Sequence, residues 1–129
     1  VTNSQLGNLF RVNTFGGNDS VYVSDTSISG VTIFNGRSGN DVFAVQNTSF
    51  GTDVVFDAGV GNDTMVSEGN TSVGRRLFMY GRSGTDAYNT SAGTTFGLSP
   101  IISSFESDSI ADPGAIIDQI MSQLADAGL

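Results

Sequence analysis

An internal repeat is the feature that most limits how this chain can fold. Gly16-Gly17-Asn18-Asp19-Ser20-Val21, Ser38-Gly39-Asn40-Asp41-Val42-Phe43, Val60-Gly61-Asn62-Asp63-Thr64-Met65 and Ser83-Gly84-Thr85-Asp86-Ala87-Tyr88 share the pattern Gly-[Asn/Thr]-Asp-x-apolar, and their aspartates lie 22, 22 and 23 residues apart. A second marker keeps the same interval: Thr26-Ser27-Ile28, Thr48-Ser49-Phe50, Thr71-Ser72-Val73 and Thr94-Thr95-Phe96. A unit of this length cannot bury its own apolar face, so successive units must stack. Each period reads as a Gly-Asp turn, a strand, a Thr-Ser-apolar corner and a second strand, such as Val21 to Ser24 followed by Val31 to Phe34.

Stacking places equivalent residues of neighbouring coils about 4.8 Å apart, as in any parallel ladder. The sequence can then be read in columns: Val21, Phe43, Met65, Tyr88; Val12, Phe34, Phe56, Met79, Ile102; and Phe10, Thr32, Val54, Leu77, Pro100. Strand alternation turns these inward as the core. Leu9 to Val12 aligns with the second strand of later periods, so the chain enters midway through a coil, and regularity fades after Ser103. The expectation is an all-β fold, a parallel β-helix or β-roll solenoid of about four and a half coils over residues 1–106, with two strands per coil.

Residues 107–129 read differently. After a linker from Phe105 to Ala111, Asp112 suits an N-cap, Pro113 the first helical position and Gly128 a stop, while Ile116, Ile117, Ile120, Met121 and Leu124 share a face. This predicts a C-terminal amphipathic α-helix of roughly 22 Å. Strand parity sends Arg11, Ile33, Val55, Phe78 and Ile101 outward, and an apolar stripe on a solvated sheet needs a cover. Either the helix folds over it, or self-association occurs through the Ile33/Val55/Phe78 face. Unpaired backbone at the solenoid ends, near Val1 to Phe15, is a second route to self-association.

Composition narrows the chemistry. The chain has no His and no Cys, which excludes zinc sites, thiol nucleophiles and Ser-His triads. Its formal charge of −8, with five Arg and no Lys, argues against nucleic acid as a partner. No apolar run approaches the length needed for membrane insertion. The chain opens on Val1 rather than Met, which a removed signal peptide or a trimmed chain would explain, and the absence of Cys fits a secreted protein without disulfides as it also fits a reducing compartment.

The turns Gly36-Arg37-Ser38-Gly39-Asn40-Asp41-Val42-Phe43-Ala44 and Gly81-Arg82-Ser83-Gly84-Thr85-Asp86-Ala87-Tyr88-Asn89 resemble the nonapeptide Gly-Gly-x-Gly-x-Asp-x-apolar-x of the repeats-in-toxin family of calcium-binding solenoids. The resemblance runs from Thr14 to Asn89, and the repeat is also similar to those of long repetitive bacterial surface proteins. It implies calcium held by Asp19, Asp41, Asp63 and Asp86 with carbonyls near Gly39, Gly61 and Gly84. This chain departs from the pattern: each coil carries one such turn rather than two, the coil is longer than that family's, and Arg37 and Arg82 replace the second Gly. Without a metal, Asn-Asp would simply make the corner by hydrogen-bonding nearby backbone.

Other signals are weaker. The Thr26, Thr48, Thr71, Thr94 column is similar to the hydroxyl arrays of ice-binding solenoids, though such ladders also just stabilise corners. Asn47-Thr48-Ser49, Asn70-Thr71-Ser72, Asn89-Thr90-Ser91, Asn18-Asp19-Ser20 and Asn62-Asp63-Thr64 match the glycan acceptor pattern, which the repeat itself multiplies. Asp53, Asp57 and Arg76 on the outward side of the second strand are the one candidate polar cluster for a polysaccharide-active β-helix. A thin coil without long loops builds no groove for them, so no enzyme is expected. The expected role is a non-catalytic extracellular or cell-surface structural element of a fibre, layer or adhesin. The alternative is a calcium-binding folding and secretion module of a larger protein.

Overall fold

The computed structural model describes residues 1–90, 93–105 and 113–126. It is a parallel β-solenoid of about four turns with one C-terminal helix. Three sheets, rather than two, run along its length. The first contains β2 (Leu9–Asn13), β5 (Val31–Asn35), β8 (Val54–Asp57), β11 (Leu77–Tyr80) and β14 (Ile101–Ser103) in that spatial order. The second stacks β3 (Ser20–Ser24), β6 (Val42–Gln46), β9 (Thr64–Glu68) and β12 (Ala87–Thr90). The third is made of two-residue strands, β1 (Gln5–Leu6), β4 (Ser27–Ile28), β7 (Ser49–Phe50), β10 (Ser72–Val73) and β13 (Thr95–Phe96). The Thr-Ser-apolar marker is therefore a strand and not a corner. Two residues are too few to show an alternation, so only their pairing reveals them.

Registers follow the repeat: Val12 pairs with Phe34, Phe34 with Phe56, Phe56 with Met79 and Met79 with Ile102. Val21, Phe43, Met65 and Tyr88 form the facing row, and Ile28, Phe50, Val73 and Phe96 the row from the short sheet. Apart from Ile102, expected in the core but 37% exposed, they fill one core in which Phe34, Phe43, Phe50 and Phe56 are almost wholly buried. Phe43 and Phe56 meet edge to face with ring centres 4.5 Å apart, a geometry that adds roughly 0.5–1.5 kcal/mol to their burial. The one extra residue between the third and fourth aspartates enters at Gly69-Asn70, opposite Asn47, where Gly69 takes a φ of +65°.

Two further expectations at the last coil change. Pro100 stands just ahead of β14 and outside the ladder. Phe105, expected in a linker, packs on the core between Phe56 and Tyr88, at 5.9 Å from each ring centre.

The helix, α1 (Pro113–Asp126), does not cover the Ile33/Val55/Phe78 stripe. It lies on the outer face of the β3-β6-β9-β12 sheet, where Ile117 and Ile120 pack against Tyr22, Ala44 and Val66. That face is also apolar, and its small Ala44 leaves a groove between two larger neighbours for the isoleucines. Leu124 lies beside Val1 and Val21 near the first coil, so α1 runs back along the stack. Met121, expected on the apolar face, points outward and is 51% exposed. The proposed N-cap Asp112 and stop Gly128 lie outside the described residues. Among the described residues no helix is long and apolar enough to cross a membrane.

Candidate functional site

The Asn-Asp corners join the second sheet to the first, and there the backbone amides point along the solenoid axis. A strand ladder cannot serve them, so side chains do. The Asp19 amide donates to Asp41 Oδ1 at 2.9 Å, Asp41 to Asp63 Oδ1 at 2.7 Å and Asp63 to Asp86 Oδ1 at 2.8 Å. Beside this row runs one of opposite sense: the amides of Asn40, Asn62 and Thr85 donate to the Oδ1 atoms of Asn18, Asn40 and Asn62, each at 2.8 Å. Aspartates thus reach back one coil and asparagines reach forward one coil. Gly-Asn-Asp is a device for bonding coils to one another, because two short side chains satisfy amides that would otherwise be orphaned.

The four aspartates predicted as metal ligands are brought into one column, and three of them are sealed inside: Asp41, Asp63 and Asp86 are 0%, 1% and 0% exposed. Desolvation raises the Asp63 pKa to about 6, the bond from the Asp41 amide opposing the rise and the charges of Asp86 and Asp41 adding to it. Burial likewise pushes Asp41 up, against the Asp19 amide bond and a contact from Thr14 Oγ1 at 3.4 Å. Asp63 Oδ2 is buried without a hydrogen-bond partner.

Calcium takes about six to eight oxygen ligands. Here Asp41, Asp63 and Asp86 each have one oxygen already bonded to an amide, and among the described residues no group of three acidic side chains converges to hold a cation. The carboxylates alone fall short of such a shell, and an ion held as the resemblance implies would draw most of its ligands from the carbonyls near Gly39, Gly61 and Gly84. A proton fits the carboxylate oxygens better, because it cancels the charge that burial penalises.

The threonine column faces inward and presents no hydroxyl array to solvent. Thr26, Thr48 and Thr71 are buried, and their hydroxyls donate to the carbonyls of Ser24, Gln46 and Glu68. Of the acceptor-pattern asparagines, Asn18, Asn47, Asn62 and Asn70 are exposed.

The outer face of the first sheet is the second candidate. Ile33, Val55 and Phe78 are half-buried there and Ile101 is exposed. Asp53, Asp57 and Arg76 share this side without forming one cluster. Asp57 binds Arg82 through two bonds of 2.8 and 2.6 Å, whereas Asp53 accepts the Arg76 backbone amide at 3.0 Å and lies 3.9 Å from Arg75. All five arginines of the chain belong to this sheet or its borders: Arg11 in β2, Arg37 after β5, Arg75 and Arg76 before β11, and Arg82 after it. Three lie over aromatic rings, Arg37 on Phe15 at 5.1 Å, Arg82 on Tyr80 at 5.5 Å and Arg76 on Phe78 at 6.0 Å. Reading the columns identifies the stripe, and reading the arginines against the same columns would have shown that the chain keeps every cation on one side.

No protein family, curated protein or solved structure matches the chain.

Proposed function

We propose that this chain is a rigid, non-catalytic structural element of an extracellular or cell-surface fibre, layer or adhesin. The observation that carries this reading is the double row of axial hydrogen bonds at the corners. With the aromatic core it ties each coil to its neighbours by bonds along the axis in addition to the three sheets. Such a stack resists bending because every displacement between coils breaks several directional contacts together. Stacking of coil edges on a neighbour, or a glycan on Asn47 or Asn70, would suit the same role.

The competing role, a calcium-triggered folding module of a larger secreted protein, makes an opposite prediction. A chelator-stripped sample is expected to stay folded, with a melting temperature unchanged by a chelator or by millimolar calcium, because no step of the folding described here needs the ion. Circular dichroism melts and calorimetric titration provide the check. Unfolding on chelation, with refolding on calcium, would replace the structural reading by the calcium module.

A further inference from the structure

We propose that the outer face of the β2-β5-β8-β11-β14 sheet binds the outward row of α1 on a second copy of this chain. The inference refines the structural reading above by naming its assembling surface.

The charge partition comes first. Five arginines border this face against two aspartates, Asp53 and Asp57, while the other acidic residues of the described segments lie outside this sheet. Among the described residues this side is therefore the basic one, and most of the negative charge lies on the others. Arg11, Arg37 and Arg76 make no ion pair among the described residues. Arg rather than Lys suits recognition of a fixed carboxylate, because its planar fork is pre-organised for two bonds.

The stripe between those arginines decides the kind of partner. Ile33, Val55 and Ile101 are branched aliphatic side chains, which are covered best by other aliphatic carbon. A polyanion would satisfy the arginines and leave the stripe wet. A protein surface carrying both carboxylates and apolar atoms would satisfy both.

The arrangement also disfavours pairing of this face with itself about its middle coil. Arg11 lies on the first coil, Asp53 and Asp57 on the middle one, and Arg75, Arg76 and Arg82 on the fourth. A two-fold axis at the middle coil sets the aspartates against their own copies and the second coil, which carries Arg37, against the fourth. Like charges opposed across an interface cost affinity.

The outward row of α1 has the complementary character. Asp118, Met121, Ser122 and Ala125 recur at helical spacing and are all exposed, Asp126 adds a second carboxylate, and the helix carries no basic residue. Its 14 residues span about 21 Å, and five strands at the ladder spacing span about 19 Å. Both surfaces run along the stack, so one can lie down the length of the other. Each copy then offers one face and one helix, a heterologous contact that propagates beyond a dimer unless it closes into a ring. A strip of this size is at the small end of lasting interfaces, so a single contact is weak.

Sedimentation velocity of the full chain from micromolar to millimolar concentration tests this. The expected result is a mass that climbs past the dimer and falls back as salt is raised. Arg11→Glu with Arg75→Glu is expected to leave a monomer, and so is Asp118→Arg with Asp126→Arg; all four together restore association. Met121→Asp, exposed and away from the core, is expected to give the same loss where an arginine reversal disturbs the fold. A chain that stays monomeric at every concentration and salt overturns the contact. So does association that stops at a dimer, or that ignores the Asp118, Asp126 and Met121 changes. A folded, calcium-independent monomer would remove this contact while leaving the rigid-element reading in place, whereas unfolding on chelation would remove that reading itself.

Discussion

Gly61→Ala is expected to prevent the solenoid from closing, with a loss of more than about 4 kcal/mol. Two effects combine. Gly61 has a φ of +141°, where an L side chain is strained, and a methyl there would fall inside the carbonyl oxygen of Gly39 in the coil before. The second effect is the larger because that carbonyl is backbone and can yield only if the two coils separate. Gly17→Ala separates the two terms. Its φ of +107° is also left-handed, yet no atom lies within 4 Å of the added methyl, since no coil of the described chain stacks beneath it. It should cost only the conformational strain, roughly 1–2 kcal/mol. Denaturant melts of the two variants measure both. Similar small losses would mean that the corners do not stack as closely as described.

Asp63 gives the second large effect, and its sign depends on pH. Asp63→Ala removes the acceptor of the buried Asp41 amide and is expected to cost about 2–3 kcal/mol, the desolvation penalty of an orphaned donor plus a small cavity. Titration of the native residue acts in an unusual direction. Its folded pKa of about 6 lies above the ordinary carboxylate value, so the folded state binds the proton more tightly than the unfolded chain does. That contribution is fully present below about pH 4 and is lost as pH rises through about 6. Asp41 shifts in the same direction. The protein should therefore be more stable near pH 5 than near pH 8, by on the order of 2 kcal/mol, unlike one held by exposed ion pairs. Asp63→Asn keeps an acceptor for the Asp41 amide and carries no charge, so it should flatten this dependence. Melting temperatures across that pH range decide the matter; a stability that falls from pH 8 to pH 5 would contradict the buried-carboxylate account.

The parts of this structure that were legible in the sequence share one cause. An interval of 22 or 23 residues fixes which side chains lie over one another, so Phe34, Phe56 and Met79 could be placed in a row without coordinates, and parity then set their inward direction. Three things were not legible. The short strands Ser27–Ile28 and Ser49–Phe50 carry no period of their own, so they read as corners. The helix had two apolar outer columns to choose between, Ile33/Val55/Phe78 and Tyr22/Ala44/Val66, and the choice depends on how Ile117 and Ile120 pack on the second of them and on contacts far along the chain. Both are long-range matters that no local pattern encodes. At the corner, the repeat placed Asp19, Asp41, Asp63 and Asp86 in a column correctly. What it could not convey is that the carboxylates of Asp41, Asp63 and Asp86 turn inward to amides, because the same column with the side chains turned outward would line up ligands for a cation.

Cysteine trapping reports most directly on the claim that equivalent residues lie over one another, since the chain has no cysteine of its own. Ser27 and Ser49 are partners on adjacent short strands, and Ser72 stands one coil further on. Adjacent coils bring backbones to about 4.8 Å, within disulfide reach, and two coils put them near 9.6 Å, beyond it. Mild oxidation should close a disulfide within the chain carrying Ser27→Cys and Ser49→Cys, and leave the chain carrying Ser27→Cys and Ser72→Cys reduced. A folded protein in which the second pair closes as readily as the first, or the first stays open, would contradict the stacked solenoid.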